Sequence, residues 1–183
     1  MMHRLPAELY SWLSETGSLT KRLRSVYGSG FSVNVLFHQW KPAFIDETQL
    51  LSIPTAHFHL LREVVLSGNG QPLVLARTVL PAQTIKIAHR NLSHLGNRPL
   101  GEVIFAYSDL ELRQRQFCQV STNNWTPQLQ TRCTIDQIIS GRRTVYVIHN
   151  QPLLVAEFFL PALLEKFSAD NNLFGEELGT KPL

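Results

Sequence analysis

The 183-residue sequence lacks the short motifs that mark common cofactor and nucleophile sites. It has no GxGxxG or GxxxxGK[ST] run for nucleotides, no GxSxG turn for a nucleophilic serine and no HExxH pair for zinc. Its seven histidines follow no metal-ligand spacing. Its two cysteines, Cys118 and Cys133, form no CxxC pair, which favours reduced thiols in a cytoplasmic protein. We therefore expect neither a metal nor another cofactor.

Charge and long apolar runs are also scarce. Only 17% of the residues are charged, and no apolar run reaches the roughly 18 residues of a membrane-spanning helix. The first fifteen residues contain acidic side chains and no continuous apolar core, so we expect no signal peptide. The net charge of +3 is scattered, and its densest cluster, at positions 21–24, is typical of the polar face of a helix. This pattern predicts no nucleic-acid partner and is compatible with a small anionic ligand.

Short strands joined by tight turns make up much of what is present. Two apolar segments flank Asn69-Gly70, the dipeptide most typical of a β-hairpin, and a second hairpin is predicted with its turn at Asn150-Gln151. Further strands are expected at Phe31–Trp40 and Leu110–Val120. We predict an α+β fold with a single antiparallel β-sheet, in one domain over residues 1–167.

Helices are expected between the strands. One is predicted from Pro6 to Glu15, one from an N-cap at Ser18 to Gly28, and one from Thr84 to Leu95. The segment RPLGEVIFAY, which starts at Arg98, is ambiguous between helix and strand. Residues 121–131 are predicted to be a loop, and residues 168–183 a flexible tail.

Three charged residues interrupt the apolar faces of these strands. Side chains at every second position of a strand share a face, and this spacing places Arg62, Arg77 and Glu157 each among apolar neighbours. A charge buried without a partner costs several kcal/mol. With a two-residue turn at Asn69-Gly70, Arg62 lies directly opposite Arg77, and Glu157 can neutralise only one of them. An anionic ligand is then the simplest source of the missing charge.

Two other interpretations of this pattern remain open. If the turn is one residue longer, Arg62 and Arg77 fall on opposite faces of the sheet, and the charge argument fails. Arginines on strands also often lie at the surface with their stems over apolar groups, and an Arg–Glu pair in a sheet is often only structural. The pattern alone does not identify a ligand.

At these residues the sequence resembles the bacterial chorismate lyases of ubiquinone biosynthesis. The matching blocks lie in the same order as in that family: SLTKRL from Ser18, LLREVVLSGNGQPLVLARTVLP from Leu60, LGNRPLGEVIF from Leu95, GRR from Gly141 and QPLLVAEFFLP from Gln151. Two segments are longer than in the family, the polar stretch 121–131 and the C-terminal tail. The resemblance implies about six antiparallel strands with helices on one face, and flaps that close over a buried ligand.

The resemblance also implies a reaction and a set of site residues. A cofactor-independent lyase of this family would convert chorismate to 4-hydroxybenzoate and pyruvate. Arg62 and Arg77 would bind the substrate, Glu157 would lie beside the ring hydroxyl, and the backbone at Leu19 and Leu100 would hydrogen-bond the ligand. Arg62 and Glu157 are thus the expected catalytic residues, in a protein expected to be a monomer. The alternative is a non-catalytic module of the same fold that senses an aromatic acid.

Overall fold

The computed structural model describes residues 7–88, 92–121, 126–131 and 137–166. The six strands form one sheet in the order β1-β2-β3-β6-β5-β4, and every neighbouring pair is antiparallel. The predicted α+β class and single antiparallel sheet are confirmed. The predicted tail at 168–183 lies outside the described residues. The strands are β1 (Phe31–Pro42), β2 (Phe58–Gly68), β3 (Gln71–Leu80), β4 (Glu111–Val120), β5 (Ile139–Ile148) and β6 (Gln151–Phe159).

Two-residue turns close both predicted hairpins. Asn69 and Gly70 join β2 to β3 with positive φ angles of 51° and 79°, as a type I′ turn requires. His149 and Asn150 join β5 to β6, also with positive φ angles. The second turn therefore begins one residue earlier than the predicted Asn150-Gln151.

The predicted pairing of Arg62 with Arg77 is wrong. The register of β2 and β3 shifts next to the turn, because Ser67 pairs with Pro72 but Leu66 pairs with Val74. The extra residue in β3 moves every later β3 residue by one position, so Arg62 faces Thr78 and Arg77 faces Glu63. Since a shift of one residue exchanges the two faces of a strand, Arg77 lies on the opposite side of the sheet from Arg62.

Helices pack on both faces of the sheet, so the helices-on-one-face arrangement that the resemblance implied is wrong, because α3 covers apolar residues on the second face. On the first face, which carries Arg62 and Glu157, the helices cover two clusters of buried residues that include Leu23, Val64, Leu80 and Tyr146. The helices packing there are α1 (Ala7–Leu13), α2 (Leu19–Tyr27), α4 (Ala82–Ile87), α5 (Leu100–Ile104) and the turn of helix at 161–166. On the second face, which carries Arg77, helix α3 (Ile45–Leu51) packs through Leu51 on Leu61 and Val79.

Several element boundaries differ from the predictions. The helix expected from Thr84 to Leu95 spans only Ala82–Ile87, and residues 92–96 are not helical. The ambiguous segment from Arg98 forms helix α5, which starts directly after Pro99. The predicted loop at 121–131 contains one helical turn, α6 (Pro127–Gln130), and its residues 122–125 lie outside the described chain. Ser18 caps α2 as predicted, with its Oγ accepting from the Lys21 N–H at 3.2 Å.

A candidate anion-binding active site

A small pocket on the first face brings together four of the five predicted site residues. Its cavity volume is about 40 Å³, and Arg62, Glu157, Leu19 and Leu100 line it. The strands supply the charged residues, while the starts of α2 and α5 supply Leu19 and Leu100. A cavity of this size holds only a few water-sized groups, whereas small-molecule sites usually enclose about 300 Å³ or more. The pocket must therefore widen to admit a ligand.

Arg62 brings an unpaired positive charge to this pocket. Its side chain is among the most deeply buried in the protein, with the residue 2% exposed. Nη2 donates to the Arg98 carbonyl at 3.1 Å, while Nη1 is buried without a hydrogen-bond partner. No carboxylate pairs with Arg62 within the described residues, and burial lowers its pKa. A ligand carboxylate would supply both the missing charge and the missing acceptor.

Glu157 is held by an arginine that sequence analysis did not single out. Arg142 lies opposite Glu157 in the β5–β6 hairpin and donates from Nε to Oε2 at 2.6 Å. Its Nη1 donates to three backbone carbonyls at the end of helix α1 and just beyond it, those of Trp12 at 3.0 Å, Leu13 at 3.2 Å and Glu15. Arg142 thus ties the carboxylate to the segment that leads into α2. Glu157 Oε1 has no partner in the described part of the chain and remains available to a ligand.

The starts of helices α2 and α5 meet at the pocket. A Cβ added at Gly101 would lie 3.0 Å from the Ser18 Oγ and 3.5 Å from the Thr20 Oγ1, so only a residue without a side chain fits comfortably there. Leu19 and Leu100 are the first residues of their helices, where backbone N–H groups have no partner within the helix. This position is consistent with the predicted role of their backbones in holding a ligand.

The fifth predicted residue, Arg77, is fully engaged on the other side of the sheet. Glu47 accepts from Nε at 2.6 Å and from Nη2 at 2.9 Å, and Glu63 accepts from Nη1 at 2.8 Å. Burial opposes the charged form, but these two carboxylates raise the pKa of Arg77 above its usual value. Thr126 also donates to the second oxygen of Glu63 at 2.6 Å. Arg77 therefore does not share a pocket with Arg62 and Glu157.

The Arg77 side of the sheet has a larger cavity of its own. It encloses about 1160 Å³, and its apolar walls include Phe37, Leu75 and Phe158. Its lining holds three cations (Lys41, Arg77 and Arg143) and three carboxylates (Asp46, Glu47 and Glu63), so its charges balance, and both arginines are paired with carboxylates. The first-face pocket therefore has the stronger electrostatic demand for an anion, although it is the smaller of the two.

The pairing of strands in the β5–β6 hairpin could have identified Arg142 as a site residue. Once the turn is placed at His149-Asn150, Arg142 and Glu157 are cross-strand partners with opposite charges. Arg142 belongs to the GRR block of the family resemblance. The predicted turn, however, lay one residue too far along the chain, so the predicted register did not pair Arg142 with Glu157. Of the glutamates that neutralise Arg77, Glu63 is its cross-strand partner only in the shifted register of β2 and β3, and Glu47 carried no signal because it comes from a helix distant in sequence.

Comparison with solved structures agrees with the α+β fold. The fold resembles the effector domain of PhnF from Mycobacterium smegmatis, with a TM-score of 0.57, 15% identity and coverage of 81% of this chain and 91% of that one. It also resembles a GntR-family transcriptional regulator from Bacillus cereus, with a TM-score of 0.55, 10% identity and coverage of 73% and 93%. At such low identity, these likenesses concern the fold alone.

The sequence comparisons define the family. The family model described as chorismate lyase matches residues 1–169. A probable chorismate pyruvate-lyase of Methylococcus capsulatus is 44% identical over 84% of this chain and 95% of its own length. A second, from Alcanivorax borkumensis, is 39% identical over 88% of this chain and 74% of its own length. The chain belongs to the chorismate lyase family.

Proposed function

We propose that this protein eliminates pyruvate from chorismate and releases 4-hydroxybenzoate, a step that leads to ubiquinone in this family. The observation that carries the proposal is Arg62, a buried guanidinium that has an unsatisfied N–H and lines a pocket with Glu157. Family membership identifies the anion as chorismate. No helix in the described residues has the length and apolar character needed to cross a membrane. We propose a cytoplasmic enzyme that acts as a monomer.

The pocket suits a ligand with a carboxylate at one end and a hydroxyl at the other. Arg62 and Glu157 lie on the same face, two strands apart and offset by two residues along the strands. Neighbouring strands are about 4.8 Å apart, so their backbones are separated by roughly 12 Å, enough for an aromatic ring between the two side chains. Arg62 would bind the ring carboxylate, and the backbones of Leu19 and Leu100 would hydrogen-bond the ligand.

The reaction depends more on holding the substrate in the right position than on a strong acid or base. Loss of the C3 enolpyruvyl group and the C4 proton makes the ring aromatic, so much of the driving force lies in the substrate. Glu157 would hold the C4 hydroxyl and accept the C4 proton as the C3–O bond breaks. A closed, water-poor pocket strengthens each of these charge interactions. Arg77 has no part in this mechanism, because it lies on the other face of the sheet.

Product analysis tests the proposal directly. The protein is incubated with chorismate, 4-hydroxybenzoate is identified by chromatography, and pyruvate is measured with lactate dehydrogenase and NADH. We expect equal amounts of both products, and large losses of turnover in Arg62→Ala and Glu157→Gln with the fold intact by circular dichroism. Near-normal turnover in both variants would contradict the assignment, and an isomeric hydroxybenzoate would redefine the product.

A second candidate is a binding module without catalysis. The observation in its favour is the fold, which resembles effector domains and transcriptional regulators. Such a module would bind 4-hydroxybenzoate or a similar aromatic acid through Arg62 without consuming chorismate. Tight product binding measured by calorimetry, together with the absence of pyruvate release, would favour this candidate over the lyase.

A further inference from the structure

Tyr146 contributes a phenol to the pocket that neither the proposed mechanism nor the family resemblance uses. It lies in β5 and faces the same side of the sheet as Glu157, and both residues line the pocket. Tyr146 is 4% exposed, and its ring packs edge-on against Phe105, with ring centroids 5.9 Å apart. Phe105 directly follows helix α5 and also lines the pocket. The phenol is thus held against Phe105 in the pocket wall.

Arg115 orients the Tyr146 hydroxyl from the edge strand β4. Its Nη1 donates to the Glu15 carbonyl at 2.7 Å, and its Nε donates to the Thr144 Oγ1 at 3.0 Å. Nη2 lies 3.5 Å from the Tyr146 oxygen and donates to it weakly. A guanidinium can only donate, so the hydrogen of the phenol must point elsewhere. No acceptor for that hydrogen occurs in the part of the chain that the structure describes.

The surroundings of Tyr146 keep its hydroxyl protonated. Burial raises the pKa of the phenol, and the negative charge of Glu157 raises it further, against the opposing charges of Arg115 and Arg142. The pocket is therefore lined by a proton donor, the Tyr146 hydroxyl, and by a group that can accept a proton, the side chain of Glu157. An elimination needs both kinds of group, one to take the proton and one to stabilise the leaving oxygen.

We propose that Tyr146 is a further catalytic residue, which donates a hydrogen bond to the enolpyruvyl oxygen as it leaves C3. This inference rests on the lyase reaction proposed above. As the C3–O bond breaks, its electron pair moves onto the ether oxygen, and the C4–H electrons form the new ring double bond. The C4 proton goes to Glu157. The leaving group is the enolate of pyruvate, which takes a proton at carbon from water, and Tyr146 stabilises its growing negative charge.

The variant Tyr146→Phe removes only the hydroxyl and keeps the ring against Phe105. We expect kcat on chorismate to fall about 10- to 100-fold, the factor for losing one hydrogen bond to a charged group. Affinity for 4-hydroxybenzoate should stay within about twofold, because the product lacks the enolpyruvyl group, so the loss appears in catalysis and not in product binding. Tyr107→Phe is the matched control, since its hydroxyl donates to the Ala88 carbonyl at 2.7 Å and Tyr107 does not line the pocket.

Each outcome of this comparison is decisive. If Tyr146→Phe is as active as an active wild-type protein, the role of Tyr146 is wrong, while the proposed lyase reaction still holds. If Tyr146→Phe loses 4-hydroxybenzoate affinity by the same factor as kcat, the role is also overturned, because the Tyr146 hydroxyl would then contact the part of the substrate that remains in the product. A wild-type protein that binds 4-hydroxybenzoate without consuming chorismate overturns both the reaction and the inference. A fall in kcat confined to Tyr146→Phe, with Tyr107→Phe unaffected, supports the role.

Discussion

Arg142 donates from Nε to Oε2 of Glu157 at 2.6 Å, and the two residues are direct cross-strand partners in the β5–β6 hairpin. The same guanidinium donates to the carbonyls of Trp12, Leu13 and Glu15. One side chain therefore joins a proposed catalytic carboxylate to the segment that leads into helix α2. The position of Glu157 and the closure of the pocket depend on the same contact.

Removing Arg142 should damage both stability and activity. We expect Arg142→Met to lower the free energy of unfolding by about 3–5 kcal/mol, because it leaves the carboxylate of Glu157 without its partner and frees three buried carbonyls. Urea denaturation measures this change. Arg142→Lys should recover only part of it, since an ammonium cannot form the same fork of hydrogen bonds.

The neighbouring residue Arg143 is a matched control for Arg142. It pairs with Asp46, whose side chain is largely exposed, and such pairs contribute about 1 kcal/mol or less. Arg143→Met should therefore unfold at nearly the wild-type urea concentration. If Arg142→Met were as stable as Arg143→Met, the proposed coupling through Arg142 would be wrong.

Arg62 and Arg77 should respond in opposite ways to the same substitution. Arg62 is buried without a carboxylate, so Arg62→Met should stabilise the ligand-free protein by about 1 kcal/mol or more while it abolishes 4-hydroxybenzoate binding. Arg77→Met leaves Glu47 and Glu63 unpaired and should cost about 3–5 kcal/mol. Thermal denaturation with and without 4-hydroxybenzoate measures both effects. A marked loss of stability in Arg62→Met would show that its charge is balanced in the free protein.

The contrast between these two arginines also shows how far the sequence could predict the site. Alternation along each strand correctly placed Arg62 and Glu157 among buried apolar neighbours of their own strands, because side-chain direction within a strand is a local property. The relation between Arg62 and Arg77 depends on one extra residue in β3 beside Pro72, and the Leu73 carbonyl in this region accepts from Leu160, far along the chain. A register shift of this kind depends on tertiary contacts that no local pattern contains.

Protonation of His59 should destabilise the protein in mild acid. His59 is 4% exposed, and burial lowers its pKa below the ordinary value of about 6.5. The neutral ring therefore contributes stability above pH 6.5, and that contribution is lost as the pH falls through the lower pKa of the folded state. We expect the Tm to decrease between about pH 6.5 and 5, and His59→Gln to show a smaller decrease. Because the neighbouring His57 is one of the groups that lower the pKa of His59, His57→Gln should also make the decrease smaller, though by less than His59→Gln.

Gly141 should tolerate no side chain, even though its φ angle is ordinary. A Cβ at this position would lie 2.6 Å from the Glu157 carbonyl oxygen and 2.5 Å from the Phe158 ring, and the backbone oxygen cannot move without disturbing the β5–β6 ladder. We expect Gly141→Ala to cost roughly 1–3 kcal/mol and to reduce turnover, because the strain falls beside the Arg142–Glu157 pair. A Cβ at Gly17 would contact only the Glu15 carboxylate, at 3.2 Å, so we expect Gly17→Ala to lose little stability. Equal stability of the two variants would contradict this account.

Ligand binding should protect the two helix starts that cover the first-face pocket. The pocket holds about 40 Å³, so α2 and α5 must separate before a ligand enters and close again over it. We expect 4-hydroxybenzoate to slow amide hydrogen exchange most strongly at residues 17–20 and 100–105, which include Leu19 and Leu100. Helix α3, which borders the 1160 Å³ cavity on the other face, should exchange at an unchanged rate. Protection confined to α3 would instead place the ligand beside Arg77, where the charges already balance, and the electrostatic argument for Arg62 would fail.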